Sequence, residues 1–123
     1  MATRAVIVDD NGSFLAAARG LLEREGMDVV GVASTTMEAL EVVAELQPDL
    51  VLVDIMLGNE SGFELTRRLV ERDSSDDAAV ILISTHSKSD FADLIAESSA
   101  LGFLPKSDLS VDAIHRILEE RPR

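Results

Sequence analysis

Side chains able to do chemistry stand directly behind short apolar runs at four places in this 123-residue chain. Asp9-Asp10 follow Arg4-Ala-Val-Ile-Val8, and Asp54 closes Leu50-Val-Leu-Val53. Ser84-Thr85 follow Ala79-Val-Ile-Leu-Ile83, and Lys106 comes just after Leu101-Gly-Phe-Leu104. Singly, each has an ordinary reading: an Asp pair after a strand most often caps a turn and helix, a serine there ends a strand, and a lysine is a solvated charge. Together they would be reactive. Three carboxylates in one place repel and are ionised at neutral pH unless burial raises a pKa. Counting charges, three aspartates give −3, Lys106 adds +1 and one Mg²⁺ adds +2, so such a cluster is neutral before any anion arrives. A hard cation beside a free carboxylate, a lysine and a hydroxyl suits phosphoryl transfer, with Asp54 as the nucleophile.

Whether these groups meet depends on the elements that carry them. Leu50 to Val53, bounded by Pro48-Asp49 and Gly58-Asn59, predicts a strand buried on both faces, as in the middle of a parallel sheet. The runs at 4–8, 79–83 and 101–104 predict further strands, the last shortened by Gly102; Asp28–Ala33, interrupted by Gly31, predicts one nearer an edge. Between them the spacing predicts helices. Phe14–Glu25 places Phe14, Leu15, Ala18, Leu21 and Leu22 on one face, and a helix capped at Ser34-Thr35-Thr36 runs through Glu45 with Leu40, Val43 and Ala44 inward. After a loop at Gly58–Gly62, Phe63–Arg72 uses Leu65, Leu69 and Val70, followed by the polar connector Asp73–Asp77. Lys88–Ser98 uses Phe91, Leu94 and Ile95 but is rich in serine. A last helix, capped by Asp108 or Ser110, buries Val111, Ile114, Ile117 and Leu118. This alternation predicts an α/β fold with right-handed crossovers and helices on both faces. In such a sheet every strand ends on one rim. Asp9, Asp10, Asp54, Ser84, Thr85 and Lys106 are therefore expected together.

Bulk properties narrow the classes. The chain has no cysteine, so neither a disulfide framework nor a zinc-thiolate site is open to it. With 23 acidic and 11 basic residues its formal charge is −12, which opposes direct binding to nucleic acid or to an anionic membrane. No apolar run approaches a membrane span, and Met-Ala-Thr-Arg leads straight into a strand, so the expectation is one cytoplasmic domain over residues 1–123.

Asp9-Asp10, Asp54, Ser84 and Lys106, in this order on these elements, resemble the response-regulator receiver domain of two-component signalling. The resemblance spans essentially the whole chain. It implies a flavodoxin-like, doubly wound (βα)5 fold of strand order 2-1-3-4-5. It further implies that Asp54 accepts a phosphoryl group from a histidine kinase or phosphotransfer protein, with Asp9, Asp10, Asp54 and the Met56 carbonyl around Mg²⁺. Lys106 would pair with the phosphoryl oxygens and Ser84 would move to hydrogen-bond them. Phe103 stands where the family has its switch aromatic, coupling the site to the face made by the fourth helix, fifth strand and fifth helix. Met56, Thr85 and His86 stand where the family tunes access and hydrolysis.

This chain departs from the family pattern in places. Lys106 is followed by Ser107 where proline is common, so a trans bond with an altered loop is expected over a strained cis one. Lys-Ser here resembles receivers joined to helix-turn-helix DNA-binding domains, so the chain reads either as a single-domain regulator or as the receiver portion of a longer protein with a DNA-binding output domain; a homodimer on phosphorylation is a further partner the resemblance suggests. Gly58 replaces the usual proline after Asp54, which frees that loop, and Thr85 is bulkier than usual and narrows the route to Asp54. His86 and His115 read as surface residues and not metal ligands. Phe103 also has the plain reading of core filling. Three functions follow: a phosphorylation-controlled switch that is not an enzyme acting on other substrates, a receiver-like scaffold that is not phosphorylated, and a Mg²⁺-dependent phosphohydrolase. The last is disfavoured because Met56 stands where that family has a second aspartate.

Overall fold

The computed structural model describes residues 2–72, 78–86 and 88–120; the connector expected at Asp73–Asp77 and the terminal Arg121–Arg123 lie outside the described residues. Strands β1 (Arg4–Val8), β2 (Asp28–Ala33), β3 (Leu50–Asp54), β6 (Ala79–Ser84) and β7 (Gly102–Pro105) form one parallel sheet in the order β2-β1-β3-β6-β7. Numbered within this sheet alone, that order is 2-1-3-4-5, the flavodoxin-like arrangement. Gly31 sits in an edge strand, as its weak run predicted.

Helices α1 (Gly12–Arg24) and α5 (Val111–Glu119) cover one face, and α2 (Thr36–Leu46), α3 (Gly62–Arg72) and α4 (Ala92–Glu97) cover the other. The period-2 alternation of a strand divides each run between the two cores. Ala5, Ile7, Leu50, Leu52, Ile81 and Ile83 meet Ala18, Leu22 and Ile114, while Val6, Val8, Val51, Val53, Val80 and Leu82 meet Ala39, Leu65 and Leu69. Burial on both faces is why these runs are apolar without interruption.

The caps fix the helices to the strand ends. Asn11 Oδ1 accepts hydrogen bonds from the Ser13 and Phe14 amides at the start of α1, and Thr35 Oγ1 accepts from Glu38 at the start of α2. Ser110, not Asp108, caps α5 by accepting from Ala113. The Arg4 guanidinium donates to the Leu46 and Gln47 carbonyls, closing the C-terminus of α2 against the start of β1.

Several expectations are corrected. Ala44 faces solvent and Ala39 takes the buried position in α2; in α3, Val70 is exposed and Thr66 is buried because its hydroxyl donates to the Gly62 carbonyl. The expected helix Lys88–Ser98 is a 3₁₀ turn (Lys88–Phe91) followed by a six-residue α4, and Leu94 points outward. The expected loop Gly58–Gly62 forms the turn and second strand of a hairpin, in which β4 (Met56–Leu57) pairs antiparallel with β5 (Glu60–Ser61). Gly58 supplies the positive φ of its turn, +60°. No peptide bond among the described residues is cis, so Lys106–Ser107 is trans and opens a 3₁₀ turn, Lys106–Asp108.

Gly62 seals the hairpin onto β3. Its amide donates to the Ile55 carbonyl at 2.7 Å, and a Cβ built on it would lie 2.1 Å from the Asp54 carbonyl oxygen. Backbone cannot yield as a flexible side chain does. Gly62→Ala is therefore expected to destabilise the protein by about 1–3 kcal/mol in urea unfolding; an unchanged midpoint and slope would show that the turn relaxes freely.

Candidate functional site

Parallel register brings the strand ends level. Val8 pairs with Val53 and Ala33, Asp54 with Ile83, and Ser84 with Pro105, so Asp9, Asp54, Ser84 and Lys106 leave the sheet on one rim. Asp9 is fully buried and Asp54 nearly so, while Asp10 is exposed. Lys106 reaches both buried acids: its Nζ lies 2.5 Å from Asp9 Oδ2 and 3.3 Å from Asp54 Oδ2.

The two carboxylates are held by their own loops. Asp9 Oδ1 accepts from the Asn11 amide at 2.9 Å, and Asp54 Oδ1 accepts from the Met56 amide at 3.2 Å. Apart from the ion pair with Lys106, the buried Asp9 Oδ2 has no hydrogen-bond partner among the described residues. Burial, and next the charge of Asp9, push the Asp54 carboxyl above its usual range; the Met56 amide and Lys106 oppose this without cancelling it. Burial works against the charge on Lys106, but Asp9 and Asp54 outweigh it and raise the ammonium's pKa. By formal charge, three acids gathered around one lysine leave the pocket net negative.

Its donor set fits a hard divalent cation. One oxygen each from Asp9, Asp10 and Asp54 can lie within 4.8 Å of the others, Asp9 Oδ2 has spare acceptor capacity, and Asp10 faces solvent, where water can complete a shell. The side chain of Met56 is exposed, on the strand that carries the amide bound to Asp54.

Among the other expected residues, Ser84 is buried at the rim and its Oγ accepts from the His86 amide at 3.0 Å. Thr85 and His86 are exposed on the loop after β6, and neither shares a described hydrogen bond or ion pair with Asp54. The His86 ring instead meets Phe91 edge-on at 5.7 Å, and Phe91 meets Phe63 at 6.3 Å. Phe103 is half-buried and packs, as Phe91 and Ile95 do, against the core that includes Val80 and Leu82. His115 is exposed, with Nε2 3.5 Å from the Thr3 hydroxyl.

Phe14 belongs to the site although its spacing marked it only as a core residue. The Lys106 ammonium lies 4.2 Å from the centroid of its ring, a cation–π contact that leaves the lysine between two acids and an aromatic face. The available signal was an aromatic in the first turn of the helix that leaves the acid pair.

A doubly wound sheet with buried acids and a lysine on its carboxyl rim defines a class of phosphoryl-accepting signalling domain, and comparison with known proteins agrees. The chain belongs to the response regulator receiver domain family, which matches residues 5–119; its members are phosphorylation-dependent signalling switches. It is 31% identical over 104 residues to the response regulator GacA of Pseudomonas viridiflava, covering 84% of this chain and 48% of that protein. A LuxR-family two-component response regulator from Aurantimonas sp. SI85-9A1 superposes with a TM-score of 0.86 at 32% identity, over 98% of this chain and 88% of that one. A response regulator from Burkholderia pseudomallei, solved with a phosphorylated aspartic acid, a calcium ion and citrate, gives 0.79 at 27% identity, over 94% and 66%. The chain spans about half the length of the curated relatives it first matches. No helix among the described residues is long and apolar enough to cross a membrane.

Phe14→Leu keeps an apolar contact but removes the ring face. The Lys106 ε-methylene proton resonances, shielded by that ring, are expected to move toward the positions of a free lysine; unchanged resonances would mean that the ring does not hold the ammonium.

Proposed function

We propose that Asp54 is the phosphoryl acceptor of this receiver. A histidine kinase or phosphotransfer protein would supply the group from a phosphohistidine, and the output would be carried by another domain or partner. The observation that supports this most is Asp54 itself, buried at a strand end with Lys106 at 3.3 Å and a second buried acid sharing the same lysine.

An Asp54 carboxylate oxygen attacks phosphorus, the P–N bond to the donor imidazole breaks, and that nitrogen keeps the electron pair, so a ring already protonated on its other nitrogen leaves as neutral imidazole. Lys106 pairs with a phosphoryl oxygen as negative charge arrives beside it. The Met56 amide holds Asp54 by one oxygen and so orients the other. Ser84 exchanges its bond with the His86 amide for one to the phosphoryl group. Mg²⁺ held by Asp9, Asp10, Asp54 and the Met56 carbonyl would neutralise charge on the transferring group.

Movement of Ser84 would reach Phe103 and the face of α4, β7 and α5. Helix α4 suits that role, with six residues, none of them buried, and no side-chain cap. On this reading residues 1–123 form a single receiver domain in the cytoplasm that turns over no outside substrate, binds no nucleic acid itself and dimerises when phosphorylated. The scaffold reading rested on the Lys106-Ser107 loop, yet Lys106 still reaches both acids with that bond trans.

Incubation with a small phosphodonor and Mg²⁺, and in parallel with a phosphorylated histidine kinase, is expected to add one phosphoryl group, detected by mass spectrometry and lost in Asp54→Asn. Removal of Mg²⁺ by a chelator should slow the reaction. No adduct from either donor would support the scaffold, and continuous donor hydrolysis without an adduct would support a phosphohydrolase.

A further inference from the structure

The hairpin β4–β5 forms its own two-stranded sheet, apart from the five-stranded one, yet it makes a wall of the acidic pocket. On one side the Met56 amide binds Asp54 Oδ1; at the tip, a Cβ on Gly58 would come within 3.6 Å of Asp10 Oδ2. Small shifts of this hairpin therefore move backbone against two of the three acids. Gly62 ties the end of its outer strand to β3, and one side chain of that strand reaches a helix: Glu60 Oε1 accepts a hydrogen bond from the Thr36 amide at 2.8 Å.

Thr36 is the first residue of α2, so its amide has no partner inside the helix. Other donors of that first turn are used locally, with Glu38 donating to Thr35 Oγ1 and Ala39 to the Thr35 carbonyl. Thr36 is itself buried, so leaving its amide without an acceptor is costly. A carboxylate there also meets the positive end of the helix dipole. The bond thus joins residues 24 apart in sequence and clamps the hairpin to a helix seated on the core.

We propose that Glu60 is a positioning residue for the cation pocket: by latching β5 to the N-terminus of α2, it holds Met56 and Gly58 against Asp54 and Asp10. The described hydrogen bond of Glu60 is to Thr36 and not to any of the acids, so it acts through the hairpin backbone. This inference rests on the proposed reading of Asp9, Asp10 and Asp54 as a Mg²⁺ site. It adds a remote determinant of that site's affinity.

The test is Mg²⁺ titration of the full chain followed by backbone amide NMR, on wild type, Glu60→Ala, Glu60→Gln and Asp54→Asn. Loss of a group bonded directly to a metal ligand commonly lowers affinity by 10- to 100-fold; Glu60 acts one step further out, so Glu60→Ala is expected to bind Mg²⁺ about three- to tenfold more weakly. Glu60→Gln keeps an acceptor oxygen and is expected to restore most of that loss. Faster hydrogen exchange at Thr36 and Met56 in Glu60→Ala, with unchanged exchange in β1 and β3, would separate loss of the latch from loss of the fold. Wild-type Mg²⁺ affinity in Glu60→Ala would overturn the proposal, as would global loss of protection with no rescue in Glu60→Gln. If wild type itself bound no Mg²⁺, or Asp54→Asn bound it equally well, the reading of the pocket would fail first and the proposal with it.

Discussion

Two acids and one ammonium withdrawn from water at the end of a parallel sheet set the terms for everything around them. Asp9 is 0% exposed and Asp54 7%, and both depend on Lys106 for compensation. A buried ion cluster rarely stabilises a fold relative to apolar residues, while removing one member leaves an uncompensated charge. Here the compensation is also incomplete, since burial and Asp9 raise the Asp54 carboxyl in spite of Lys106. Such a pocket draws in positive charge. With a cation bound, such a pocket would tolerate a further anion, which is what the proposed phosphorylation of Asp54 requires.

The rest of the molecule divides into a rigid part and an adjustable one. β1, β3 and β6 are buried on both faces and place Asp9, Asp54 and Ser84 by register. The hairpin after β3 is tied down by Gly62 and Glu60, whereas Thr85 and His86 in the loop after β6 are exposed. The loop after β6 leads through His86 and Phe91 to α4, which has no buried residue of its own and leaves Leu94 half exposed. A stiff sheet that fixes the acids, beside a lightly packed helix, is the division expected of a domain with two arrangements.

The sheet was readable because double-sided burial writes itself as unbroken Val, Ile and Leu, and the acids were readable because they end those runs. The helix faces were less so. In α2 the apolar residues Ala39, Leu40, Val42, Val43 and Ala44 span more of the wheel than the sheet can cover, so composition did not show that Ala39 turns inward and Ala44 outward. Thr66 escaped notice because a threonine can satisfy its hydroxyl within its own helix and then bury like valine. The hairpin β4–β5 has strands of two residues, too short for any periodicity, and the contact of Glu60 with Thr36 joins elements that only the folded chain brings together. Phe14 fitted the helical stripe so well that its second role, under the Lys106 ammonium, was hidden by the first.

The role proposed for Asp54 requires that Asp9, Asp10 and Asp54 act as one cation pocket beside Lys106. Paramagnetic broadening of backbone amides by substoichiometric Mn²⁺ maps that pocket without any phosphorylation. Broadening centred on residues 9–11, 54–58 and 106, reversed by excess Mg²⁺, is the predicted result. Broadening spread over the acidic helix surfaces, or sparing residues 54 and 106, would contradict it.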